Sequence, residues 1–162
     1  MRYLLDVNVL IALMDESHPA HRLCTNWYAQ HSGRTGKDGA TQGRTDSHSE
    51  GVAVCPLVEN GAARIMSNPA YAQEQPALKP AALLRQIALF KATAPNLEFW
   101  PDAVSLADTL LFDHSKIHGP RQLTDIYLLG LATSQRQGLV TLDRNIPLAA
   151  VRGALKSQLW VL

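Results

Sequence analysis

Five short apolar runs, "RYLLD" (2–6), "VAVC" (52–55), "LEFW" (97–100), "LVTLD" (139–143) and "QLWVL" (158–162), are separated by stretches of helical pattern. This alternation constrains the fold more than any other feature of the chain. Strands interleaved with helices argue for an α/β sandwich with a mostly parallel central sheet flanked by helices. At 162 residues the chain reads as one domain, 1–162, able to bury a proper core.

The helical stretches have recognisable starts and stops. "NVLIALMDE" suits a helix capped near Asn8, and "PAHRLCTNWYAQH" sets Ala20, Leu23, Cys24, Trp27 and Tyr28 at helical spacing behind Pro19. Pro56 opens "PLVENGAARIMS", which stops before Asn68-Pro69, and "ALLRQIALFKA" follows. "SLADTLLFDH" and "IPLAAVRGAL" read as short helices. "TDIYLLGLATSQRQG" has Thr124 as N-cap, Asp125 in the first turn and Gly138 beyond the last. The segment from Ser32 to Gly51, rich in Gly, Ser, Thr and charge and without aromatics, reads as a long flexible polar loop (32–51).

The totals exclude several classes. A formal net charge of +1 exerts no global pull on nucleic acid or membrane, so any polyanion must be held by local patches. Two cysteines, Cys24 and Cys55, make no disulfide framework and have no metal-ligand spacing. The first residues lack the shape of a signal peptide, and no apolar run approaches the roughly 20 residues of a membrane helix. A cytoplasmic protein without a membrane span is expected.

Within this frame Asp6 stands out, because it interrupts the apolar stretch "LLDVNVLIAL". A buried carboxylate without a partner is costly, and the only cation nearby in sequence is Arg2. The other acids suggest a reason. In an open parallel sheet the C-terminal ends of strands and the N-terminal ends of the following helices share one rim, where ligands bind. Asp6 and Asp143 end strands, Glu59 lies near the start of the helix after "VAVC", and Asp125 starts the helix at "TDIY". All four are expected on that rim. Singly, each has a plainer explanation: Asp125 and Glu59 favour a helix dipole, and Asp6 with Asn8 makes a local turn or cap. Together they describe a cation site. Clustered carboxylates repel one another unless a cation neutralises them, and oxygen ligands without His or Cys select Mg²⁺ or Mn²⁺. Such an ion can orient a phosphate and activate a water, with Asn8 hydrogen-bonding a ligand or a bound water.

These stretches also resemble the PIN-domain ribonucleases, and among them the VapC toxins of bacterial toxin–antitoxin pairs. The matching pieces are "LLDVNVLIAL", "CPLVENGAARIMSNP", "FWPD", "LAD", "HGPRQLTDIYLLGLA" and "LVTLDRNI", in the family's order over most of the chain. The resemblance implies a PIN-like three-layer sandwich and a metal-dependent endoribonuclease. It places the family's acids on Asp6, Glu59, Asp125 and Asp143, with Asn8 beside the first and Thr124 and Thr141 as the Ser/Thr positions near the later ones. It further implies a homodimer and a VapB-like antitoxin partner that covers the acidic pocket, often with a basic side chain. The loop at 32–51 is longer than this group usually carries.

RNA approaching an acidic pocket needs compensating cations. Arg121, Arg144 and Lys116 lie beside the expected rim, with His114 and His118 in the loop of Arg121, and phosphate contacts from them would position RNA without reading its sequence. Two other functions fit an acid rim. One is an aspartate-based phosphatase, although Asn8 stands where a second Asp is usual. The other is a non-catalytic module that docks a basic peptide.

Overall fold

Strands β1 (Arg2–Leu5), β2 (Gly51–Val54), β3 (Leu97–Phe99), β4 (Gly138–Thr141) and β5 (Leu159–Val161) form one sheet in the order β3-β2-β1-β4-β5. Every neighbouring pair is parallel. The computed structural model describes residues 1–32, 51–71 and 78–162. Apart from its two end residues, the expected polar loop lies outside the described residues.

Parallel neighbours cannot be joined by tight hairpins and need crossovers, which helices provide. Those described are α1 (Val7–Met14), α2 (His21–His31), α3 (Pro56–Met66), α4 (Pro80–Thr93) and α5 (Leu123–Ser134). Strands covered on both faces should be apolar throughout. All four residues of β2 and of β4 are buried, whereas the edge strands β3 and β5 each expose their last two residues.

The strand order fixes where a site can form. From β1 the chain builds outward through β2 and β3, then returns to the opposite side for β4 and β5. The crevice at such a reversal, beyond the C-terminal strand ends, is the usual ligand position in open parallel sheets. Here β1 and β4 border it. Leu5 is in register with Val140, and the Asp6 amide extends the ladder to the Val140 carbonyl at 3.0 Å.

Several expected elements differ in detail. Helix α1 begins at Val7 with Asp6 as its N-cap residue, so Asn8 lies inside the first turn. Thr124 is likewise not an N-cap. A single 3₁₀ turn, Pro120–Gln122, runs into α5 with Gln122 and Leu123 already helical, leaving no extended capping residue. Gly138 does not end α5. Arg136 takes the left-handed position with φ 55°, and Gly138 opens β4 against Tyr3, whose ring a Cβ would meet at 2.5 Å. Arg2 is not the partner of Asp6 either. It lies at the opposite end of β1 and pairs with Glu98 at 2.8 Å.

The two short helices expected at 105–114 and 146–155 are largely absent. Ser105 and Asp108 draw backbone amides onto their own side chains, Ala107 to Ser105 Oγ at 3.2 Å and Leu110 to Asp108 Oδ1 at 2.8 Å. Such local bonds compete with helix. The two segments then pair with each other: Phe112 bridges Val151, Asp113 donates to the Ala150 carbonyl at 2.9 Å, and Arg152 to that of Leu111 at 2.8 Å. Only the 3₁₀ turns His114–Lys116 and Leu148–Ala150 remain. The bridge drives the fully buried Phe112 ring against Gly130 of α5, where there is no room for a Cβ.

Candidate active site

The register of β1 and β4 sets Asp6 level with Thr141, and the two side chains meet. Thr141 Oγ1 donates to Asp6 Oδ2 at 2.9 Å, a bond between residues 135 apart in sequence. Both are buried, Asp6 at 1% exposure and Thr141 at 0%. The same hydroxyl oxygen accepts from the Asp143 amide at 3.0 Å. Thr141 thus ties the acid after β1 to the acid after β4. Asp143 is fixed in turn by Asn145, whose backbone and side-chain nitrogens donate to Oδ1 at 2.7 and 3.2 Å. Asp125 reaches the same rim from the first turn of α5.

Electrostatics shows that these three acids share a field. Burial raises Asp6, and the Asp143 charge adds to it, against the lowering effect of Thr141 and the first amides of α1. Asp125 is pushed up to about 7, first by burial and then by the charges of Asp6 and Asp143. Among the described residues none of the three is ion-paired with a Lys, Arg or His. They repel one another with no ion-paired cation among the described residues to offset it.

Glu59 is placed differently. It lies in the first turn of α3, but its Oε1 accepts from Lys91 Nζ of α4 at 2.6 Å. Its charge is not among those acting on Asp6 or Asp125. Among the described residues, no three His, Cys, Asp or Glu side chains are gathered closely enough to hold a metal ion. The donor chemistry nonetheless fits a hard divalent cation. Asp6, Asp125 and Asp143 offer oxygen ligands at the sheet's reversal point, and the repulsion between them is what such a cation relieves.

Known proteins put this arrangement in a family. Over its full length the chain is 37% identical to ribonuclease VapC44 of Mycobacterium tuberculosis, with 100% of each chain covered. It is 33% identical to ribonuclease VapC39 of the same organism, over 96% of this chain and 99% of that one. The chain belongs to the VapC ribonuclease family. No family model matches it. A solved structure of VapBC2 from Rickettsia felis, bound to a DNA fragment from their promoter, gives a TM-score of 0.49 at 14% identity, covering 88% of this chain and 89% of that one.

In this VapC two of the candidate RNA-contacting cations are close in sequence to the acids. Arg121 lies in the 3₁₀ turn that leads into α5, and Arg144 follows Asp143. Both are exposed and make no ion pair among the described residues. Lys116 is exposed too, with its charge acting on Asp113. Thr124 and Asn8 are exposed on the first turns of α5 and α1. No helix among the described residues is long and apolar enough to cross a membrane.

Two rim residues escaped the sequence reading. Asn145 anchors Asp143, a local turn contact that "LDRN" encodes without advertising. Asp102, just beyond β3, faces the Cys55 thiol and the Tyr127 hydroxyl; burial and then the Asp102 carboxylate raise each to about 12. Its signal was present, since an acid follows the apolar run "LEFW" much as acids follow β1 and β4.

The acid field has a consequence for stability. A carboxyl raised from 3.8 to about 7 holds its proton more tightly folded than unfolded. Its contribution to stability is therefore complete at low pH and is lost as pH rises through that window. In EDTA the wild-type melting temperature is expected to fall across this range, and Asp125→Asn to flatten the decline. An unchanged slope in the variant contradicts the assignment.

Proposed function

We propose that this VapC endoribonuclease, the toxin of a toxin–antitoxin pair, hydrolyses RNA phosphodiester bonds at the rim formed by Asp6, Asp125 and Asp143, using a bound divalent cation. The observation that carries the reading is the set of three mutually repelling carboxylates, unmatched by any described cation, at the reversal point of the sheet. Asp6, Asp125 and Asp143 would hold Mg²⁺ or Mn²⁺, with Glu59 as a further ligand. When bound, the ion neutralises these charges, polarises the phosphodiester and supplies an activated water for attack.

The chain's own residues do the rest. Thr141 holds the Asp6 carboxylate and the Asp143 amide on one hydroxyl, and Asn145 holds the Asp143 side chain in place. Asp125, within the field of both, orients the attacking water. Arg121, Arg144 and Lys116 contact backbone phosphates on the approach, which draws RNA to a pocket that would otherwise repel it. Asn8 and Thr124, exposed at the helix starts, complete the polar lining. A VapB-like antitoxin presenting a basic side chain to the three acids would supply a cation that no described residue pairs with them, and so block the pocket. The homodimer is proposed from the family resemblance.

Purified protein incubated with mixed total RNA tests the metal dependence. Discrete fragments in Mg²⁺ or Mn²⁺, and none in EDTA, are expected. Undiminished cleavage in EDTA, or no cleavage with any metal, contradicts the proposal.

A further inference from the structure

The ion pair that removes Glu59 from the acid field is built with some care. Lys91 lies in the last turn of α4, and its Nζ donates to Glu59 Oε1 at 2.6 Å, the two side chains being 31% and 23% exposed. The same ammonium sits 4.3 Å from the centroid of the Phe99 ring at the end of β3. An ammonium held between a carboxylate and an aromatic face is fixed at two points, which a solvated surface lysine is not. Glu59 itself lines a cleft between α3 and α4 with Asn60, Arg64 and Leu84.

The allocation of charge is uneven. Three acids at the reversal point have no cation among the described residues, while Glu59, on the helix that leaves the neighbouring strand β2, is already neutralised. We propose that Lys91 is a positioning residue of the active site: it holds the Glu59 carboxylate in the α3–α4 cleft, so that a divalent cation at the three-acid rim gains Glu59 only in competition with the ammonium. The inference rests on the proposed cation site. Its physical content is simple. A carboxylate whose charge is offset by a neighbouring ammonium attracts a second cation less, whether or not it moves. Lys91 thereby sets the cation concentration at which the site fills.

Mn²⁺ binding to the purified protein, followed through the electron paramagnetic resonance signal of the free ion, tests this without reference to cleavage. Lys91→Met keeps the apolar stem and loses the charge, and is expected to bind Mn²⁺ about two- to fivefold more tightly than wild type, the range of a partly exposed ion pair. Lys91→Arg is expected to restore wild-type affinity. In a Glu59→Gln background, Lys91→Met should bring no gain. Lys91→Gln gives the same reading should the methionine variant fold poorly. Unchanged or weaker binding in Lys91→Met overturns the proposal, as does a gain that persists without Glu59, which marks a general field effect. Wild-type protein that takes up no Mn²⁺ overturns the cation site itself and this inference with it. Wild-type binding with no response to Lys91 removes only the inference.

Discussion

Asp6→Asn is expected to lower RNA cleavage at least about a hundredfold while leaving the protein folded. The substitution keeps the shape of the side chain, and its amide oxygen can still accept from Thr141 Oγ1, which donates to Asp6 at 2.9 Å. What it removes is a negative charge at a position 1% exposed, where burial already disfavours that charge. Stability should therefore hold or rise as activity falls. Those opposite movements separate a functional carboxylate from a structural one. The comparison is a melting curve beside initial cleavage rates in Mg²⁺, for wild type and variant. A variant retaining more than about a tenth of the wild-type rate contradicts the role given to Asp6.

Phe112→Ala is expected to cost about 3–5 kcal/mol, the usual range for emptying a large aromatic site. The ring is fully buried, lies against Gly130, and is carried by a segment that bridges Val151. Collapse around the cavity is restricted because α5 also packs on the sheet, with Ile126, Leu128, Leu129 and Leu131 all at 0% exposure. Since α5 carries Asp125 in its first turn, the loss should reach the acid rim as well. Equilibrium urea denaturation checks the number, and a loss under about 1 kcal/mol would mean that the ring is not the anchor described.

Legibility in the sequence tracked how local the determining interaction is. Asp6 and Asp143 were visible because each ends a short apolar run, and both runs are too short for a helix and form buried strands. Asp125 was visible from its place at the head of a strongly apolar helix. The parallel sheet followed from the same alternation. Contacts between distant residues were not visible. No pattern says that Lys91 meets Glu59 across 32 residues, or that Arg2 spans to Glu98. The role of Thr141 as the tie between two acids depends on strand register, which composition cannot supply. The segments at 105–114 and 146–155 misled for a related reason. Their apolar residues suit a helix, but the backbone groups at 111–113 and 150–152 are satisfied by pairing with each other, an alternative that only the folded chain presents.

The central claim, that Asp6, Asp125 and Asp143 converge on one divalent cation, is tested most directly by a crystal structure grown with Mn²⁺ and measured for anomalous scattering. The account predicts a single strong peak per chain in contact with carboxylate oxygens of these residues, absent from crystals of Asp6→Asn. A peak bound elsewhere, or one at the rim that survives the loss of the Asp6 charge, would contradict it.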